Sequence, residues 1–399
     1  MRDEAERLDG LDPLAHKRNE FVLTEGVVYL DGNSLGILPR AVPARVADVV
    51  EREWGELRIQ GWTTGGWWTA PERVGDRIGR VVGAAPGQVV VGDSTSVNLF
   101  KAVTAAVRMS RAAGGGSARS EILVDASTFP TDAYIAASVS RMTDTTVRSV
   151  PVAEMVGAVG PRTAAVLVNQ VDYRTGRLYD LPPMTRAAHG AGARVVWDLC
   201  HSAGAMPVEL DAHEVDLAVG CGYKYLNGGP GAPAFLYIRA SVQEAFDTPL
   251  PGWNSHVDPF GMADIYAPAQ GASRGRVGTP TILSLMALDA ALDVFDDVSP
   301  DALRTKSLLL TDFFLECLRD ALDAGLLEVV TPLSHTERGS QISLRHAEAE
   351  QLISRLIAEG IIGDFREPDV LRFGFTPLYT SFEEVRTAAD AVANAAAAM

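Results

Sequence analysis

The stretch "CGYKYLNGGPGAP" (221–233) sets a single lysine, Lys224, between two tyrosines and ahead of a glycine- and proline-rich turn. Such a turn lets the backbone pass close to a ligand without Cβ interference. A lysine attacks carbonyl carbon once burial or neighbouring cations lower its pKa. Taken alone, Lys224 reads more readily as a solvated side chain beside a hairpin turn. A second stretch, "VVWDLCHSAG" (195–204), ends an apolar run on Asp198 and places His201 three residues later. An aspartate there also caps turns, and an Asp-x-x-His spacing is half of a metal site, but no further histidine or carboxylate cluster completes a metal shell. A third, "GDSTSVNLF" (92–100), gathers Ser94, Thr95 and Ser96 at the entry to a helical pattern. Hydroxyls and free N–H groups at a helix start bind phosphate, and three hydroxyls in a row exceed what one N-cap needs. "STFPTDAY" (127–134) adds Phe129, an aromatic able to stack on a ring, and Asp132 close behind it.

A carbonyl-reactive lysine, a carboxylate and a phosphate cradle make a set that pyridoxal 5'-phosphate (PLP) requires. The lysine binds its aldehyde, and the carboxylate keeps its pyridine nitrogen protonated so that the ring draws electrons. No metal enters this chemistry.

These residues must be brought together by the elements that carry them. Short apolar runs at 88–93, 121–126, 164–171, 194–200, 216–222 and 234–239 alternate with helical patterns. Runs apolar on both faces and separated by helices predict a mostly parallel sheet covered by helices, with functional groups gathered at the strand ends. Residues 111–120, "RAAGGGSARS", read as a flexible surface connection. Past residue 285 the pattern changes to a long helical stretch (301–325), strand-like "GSQISLR" and "VLRFGFTPLY", and a terminal helix over 381–399. That change predicts a smaller α+β domain accompanied by the N-terminal arm.

Composition narrows the function. The chain has 399 residues, 51 acidic against 35 basic, for a formal charge of −16. An acidic chain lacks the basic face that sequence-independent nucleic-acid binding needs. No apolar run reaches the length of a membrane span, and the first residues, "MRDEAERLDG", carry no secretory h-region. Three cysteines without CxxC spacing read as reduced thiols of a cytoplasmic protein.

Motifs along the whole chain resemble the kynureninase family of fold type I PLP enzymes. They are "VYLDGNSLG" (28–36), "STSVNLFK" (94–101), "FPTD" (129–132), "WDLCHSAGAMP" (197–207), "GCGYKYLNGGPGAP" (220–233), "PGW" (251–253), "GRVGTP" (275–280) and "LRFGFTPLYTSFEE" (371–384). The resemblance implies a PLP-dependent transferase-like α/β large domain with a smaller C-terminal α+β domain. The corresponding divisions are an arm over 1–43, a large domain over 44–288 and a small domain over 289–399. It implies hydrolysis of L-kynurenine to anthranilate and L-alanine in tryptophan degradation, by a homodimer with shared active sites.

Residue by residue, the resemblance makes Lys224 the Schiff-base lysine and Tyr223 a phosphate contact and proton donor. It pairs Asp198 with the pyridine nitrogen and sets His201 beside the cofactor. Thr95, Ser96, Phe129, Asp132 and Asn169 line the PLP pocket, while Trp253 and Thr279 reach the cofactor from the partner subunit. Arg372 grips the substrate α-carboxylate, and Ser34 and Trp62 lie near the substrate side chain. Three alternatives stand beside this: preference for 3-hydroxykynurenine or another ring-substituted kynurenine, a related lyase such as a cysteine desulfurase, and a catalytically silent homologue. A desulfurase needs a reactive cysteine on a mobile loop, whereas Cys317 falls in an apolar helical stretch and Cys200 and Cys221 beside strand ends.

Overall fold

Apolar segments joined through helices pair in parallel, because a parallel neighbour is reached only by a crossover. The computed structural model, which describes residues 1–399, shows this arrangement. In chain order the strands are β1 (Val28–Tyr29), β2 (Val89–Val91), β3 (Glu121–Asp125), β4 (Thr146–Val150), β5 (Thr163–Asn169), β6 (Arg194–Asp198) and β7 (Leu217–Gly220). They continue with β8 (Phe235–Ile238), β9 (Glu328–Val329), β10 (Gln341–Arg345), β11 (Ile361–Ile362), β12 (Asp364–Arg366) and β13 (Val370–Gly374).

Seven strands form the large sheet in the order β2-β8-β7-β6-β5-β3-β4. All neighbours from β7 to β4 are parallel. β8 alone runs against both of its neighbours. The reason lies in the connection: residues 221–234 contain no helix, so the chain leaves β7 and returns directly as β8. The segment bearing Lys224 is therefore a return loop at the end of β7. Every residue of β5 is buried, and apolar layers cover both sides of the sheet. The sequence pattern gives no strand at 146–150 because β4 reads "TVRSV" and exposes four of its five residues at the sheet edge.

The C-terminal part builds a four-stranded antiparallel sheet, β12-β13-β10-β9. Its apolar cluster includes Ala5, Val28 and Leu30 as well as Leu344, Phe373 and Val385, and β1 pairs in parallel with β11. The terminal helix, Phe382–Ala397, starts on a reciprocal cap in which Ser381 and Glu384 satisfy each other's backbone N–H groups. The helical pattern over 301–325 divides at Leu318 into helices Pro300–Cys317 and Arg319–Asp323. Residues 111–118 coil into short helical turns where the glycines suggested an open connection. No helix is long and apolar enough to cross a membrane.

Candidate active site

Strand register brings the first two polar groups together. Asn169 ends β5 and Asp198 ends β6, and the two are direct partners across the parallel ladder. Asp198 is in turn paired with Val219 of β7, just before the Lys224 loop. Here, at the C-terminal edge of the sheet, lies a cavity of about 230 Å³. Thr95, Ser96, Phe129, Asp132, Asn169, Asp198, His201, Tyr223 and Lys224 all line it. Thr95 and Ser96 occupy the first turn of helix Thr95–Ser110, whose N-cap is Ser94 with its hydroxyl accepting from the Val97 N–H. First-turn N–H groups have no partner within the helix. Phe129 is partly exposed and stands edge-on to Tyr173, with ring centroids 5.1 Å apart.

The polar groups form a connected chain. Asn169 Nδ2 donates to Asp132 Oδ2 and to Asp198 Oδ2, each at 3.0 Å, while Thr128 Oγ1 donates to Asn169 Oδ1. Asp198 Oδ1 accepts from the Cys200 N–H at 2.7 Å, which fixes the carboxylate plane. Burial, reinforced by the charge of Asp198, pushes the Asp132 carboxyl well above the usual range. The network therefore favours one ionised carboxylate.

Lys224 Nζ lies 2.9 Å from His201 Nε2. Burial first, and the Lys224 charge second, holds His201 well below the ordinary imidazole value. A neutral ring that accepts at Nε2 carries its proton on Nδ1, and this buried Nδ1 has no hydrogen-bond partner. Burial also pushes the Tyr223 phenol up, so it stays protonated. The donor set fits PLP: an amine for the aldehyde, a carboxylate for the ring nitrogen, hydroxyls and a helix start for the phosphate, and an orphan donor beside the amine.

The other five expected residues lie outside this cavity lining. Ser34 and Arg372 are hydrogen-bonded to each other at 2.9 Å, and Arg372 Nη1 donates to the Tyr173 carbonyl at 2.6 Å. Arg372 thus touches the backbone of a residue that lines the cavity. Trp62 packs beside Trp253, 6.3 Å between centroids, in an aromatic group with Trp68 and Phe260. Trp253 and Thr279 are exposed. Trp62 therefore goes with the residues expected to serve a partner subunit, and not with the pocket of its own chain. The sequence motifs had given no reason to separate it from Ser34.

Four cavity residues were not anticipated: Leu99, Thr131, Tyr173 and Cys200. Tyr173 had a readable signal, an aromatic just beyond the end of a buried strand. Cys200 is adjacent to Cys221, and their contact together with burial pushes its thiol well above the ordinary range, which suits packing and not nucleophilic attack. Asp31, Asp364 and Arg366 also converge on Arg372; the last two come from β12, whose pairing with β13 no sequence motif announced.

The fold and this cavity define a PLP-dependent enzyme of fold type I. Solved structures agree on the fold: a C-DES variant with glycine covalently linked to its PLP cofactor superposes with a TM-score of 0.80 at 18% identity, covering 94% of this chain and 99% of that one. The cysteine desulfurase CsdA from Escherichia coli gives 0.78 at 20% identity, covering 96% and 97%. Residues 303–392 match the kynureninase C-terminal domain model. The kynureninase of Deinococcus radiodurans is 51% identical over 396 residues, 98% of this chain and 95% of the relative. That of Burkholderia pseudomallei is 45% identical over 393 residues, 98% and 94%. The chain belongs to the kynureninase family, PLP-dependent hydrolases acting on carbon–carbon bonds.

Proposed function

We propose that the chain hydrolyses L-kynurenine at its Cβ–Cγ bond to give anthranilate and L-alanine. The observation that carries this reading is Lys224 Nζ held 2.9 Å from a neutral His201, in the cavity that also contains the Asp198–Asn169–Asp132 chain. In this assignment Thr95, Ser96 and Tyr223 hold the phosphate, Phe129 covers the ring, and Asp198 takes the pyridine nitrogen. PLP bound there supplies an electron sink for charge that develops at the substrate Cα. Lys224 would hold the cofactor through Nζ and would serve as the base for the substrate's Cα proton. A neutral His201 beside it does not compete as a second cation. Arg372 orients the substrate through its α-carboxylate. Tyr223 keeps its proton until a water molecule has added to the Cγ carbonyl, then delivers it to Cβ as the bond breaks.

The same reading makes the unit a homodimer. The exposed aromatic group of Trp253 and Phe260 beside Trp62 and Trp68 supports a covered surface, from which Trp253, Thr279 and Trp62 serve the partner's site. It divides the chain into an arm (1–43), a large domain (44–288) and a small domain (289–399), with the β1–β11 pairing in favour of an arm that travels with the small domain. It places the enzyme in the cytoplasm, in keeping with three unpaired cysteines. Purified enzyme loaded with PLP and given L-kynurenine should form anthranilate, read by fluorescence, and alanine in equal amounts. No anthranilate from loaded, folded protein would refute the assignment.

A further inference from the structure

Asp364 of β12 and Arg372 of β13 are direct partners across an antiparallel ladder, so their side chains share one face. The Arg372 guanidinium grips Asp364 by its Nε/Nη2 edge, with Nε 2.8 Å from Oδ1 and Nη2 on Oδ2. Nη2 also donates to Ser34 Oγ, which donates onward to Asp364 Oδ2 at 2.8 Å. With Nη1 on the Tyr173 carbonyl, every nitrogen of Arg372 is engaged, and the side chain is 1% exposed. The residue read above as the clamp for the substrate carboxylate thus already holds a carboxylate, in the bidentate geometry such a ligand would use.

A second cation stands ready for Asp364. Arg366 Nη2 lies 2.8 Å from the same Oδ2, and its side chain is one-third exposed. Lifting a carboxylate from a buried guanidinium is costly when it is left unpaired. Here it would only change partners. We propose that Asp364 stands in for the substrate carboxylate on Arg372, and that the arriving substrate displaces it onto Arg366. This rests on the role given to Arg372 above. Asp364 acts through Arg372 and touches no reacting atom. The exchange also serves the product, because L-alanine carries the same carboxylate and is expelled as Asp364 retakes the fork.

The test uses PLP-loaded enzyme and two unreactive ligands: the desamino analogue of kynurenine, which keeps the carboxylate, and the matching aryl ketone without it. Calorimetry on Asp364→Asn should show the carboxylate ligand binding roughly 10-fold tighter, since a charged competitor becomes a neutral amide. The plain ketone should stay within about twofold, and inhibition by L-alanine should strengthen in parallel with the carboxylate ligand. Arg366→Gln in the wild-type background should weaken the carboxylate ligand alone, and the loss should vanish when combined with Asp364→Asn. Weaker or unchanged carboxylate binding in Asp364→Asn would overturn the proposal, since a purely supporting aspartate gives that sign. Should Asp364→Asn not fold, Arg366→Gln decides: equal effects on both ligands overturn it. Arg372→Ala separates the two readings. If it leaves the carboxylate preference intact, the clamp assignment falls; if it abolishes the preference while the Asp364 and Arg366 variants do nothing, only the exchange falls.

Discussion

Gly36 closes the motif "DGNSLG" and packs its backbone against the Lys224 loop, with its N–H donating to the Tyr223 carbonyl at 2.8 Å. Its φ is not positive, so alanine fits the backbone there and any effect is steric. A Cβ built on Gly36 lies 2.5 Å from the Lys224 carbonyl oxygen and 2.7 Å from Asn227 Cα, and it also meets Asn227 Oδ1. Non-bonded carbon contacts settle near 3.5 Å, so the Lys224 loop must shift by about 1 Å. Overpacking of this kind costs about 1–3 kcal/mol of stability, which a chain of this size tolerates. The catalytic cost is larger in proportion, because a 1 Å misplacement of a reacting group lowers rate by roughly 100-fold. Gly36→Ala should therefore remain folded by circular dichroism, with kcat for anthranilate release reduced roughly 100-fold and the visible PLP band shifted or weakened. Activity within about threefold of wild type would refute the claim that this contact positions Lys224.

Borohydride treatment of loaded enzyme should fix PLP on one peptide, the one containing Lys224, and Lys224→Ala should bind cofactor reversibly without turnover; label on any other lysine refutes the assignment. Burial, with the charge of Asp364 second, raises the Asp31 carboxyl to about 7. Its proton is thus held more tightly in the folded state, and Asp31 penalises folding increasingly as pH rises from about 4 through about 7. Asp31→Asn should then gain about 2 kcal/mol over wild type at pH 8, discounted for partial exposure, and nothing at pH 4; equal differences in denaturation midpoint at both pH values would refute this. Mixing an inactive Lys224 variant with an inactive Trp253 variant should restore activity through hybrid sites, and no recovery after demonstrated subunit exchange would exclude shared sites. L-kynurenine should have a higher kcat/KM than its 3-hydroxy form, since Trp62 offers an apolar face and Thr279 is too short to place a donor near a ring hydroxyl; the reverse preference refutes that reading of the pocket.

Residue identity and strand-end placement were enough to bring out Lys224, Asp198, His201, Thr95 and Ser96, because the chemistry of a PLP site demands those types and a parallel sheet collects them at one edge. Local patterns also carried the apolar strands, since burial on both faces leaves an unbroken apolar run. They could not carry β4, which is polar at an exposed edge, nor the reversal of β8, which depends on a loop containing no helix. The hydrogen-bonded chain through Asn169 and the neutral state of His201 come from register and burial, which no single segment encodes. The same holds for Asp364: eight residues from Arg372 in sequence, it becomes that arginine's bidentate partner only because β12 folds back onto β13. Trp62 is a further case. Its motif resembles a substrate-side position, and no local pattern tells that Trp62 packs against Trp253 in the exposed aromatic group while the lining of the Lys224 cavity in its own chain leaves it out. Side-chain chemistry is written in the chain; which groups share a charge, a proton or a face is decided only when distant strands meet.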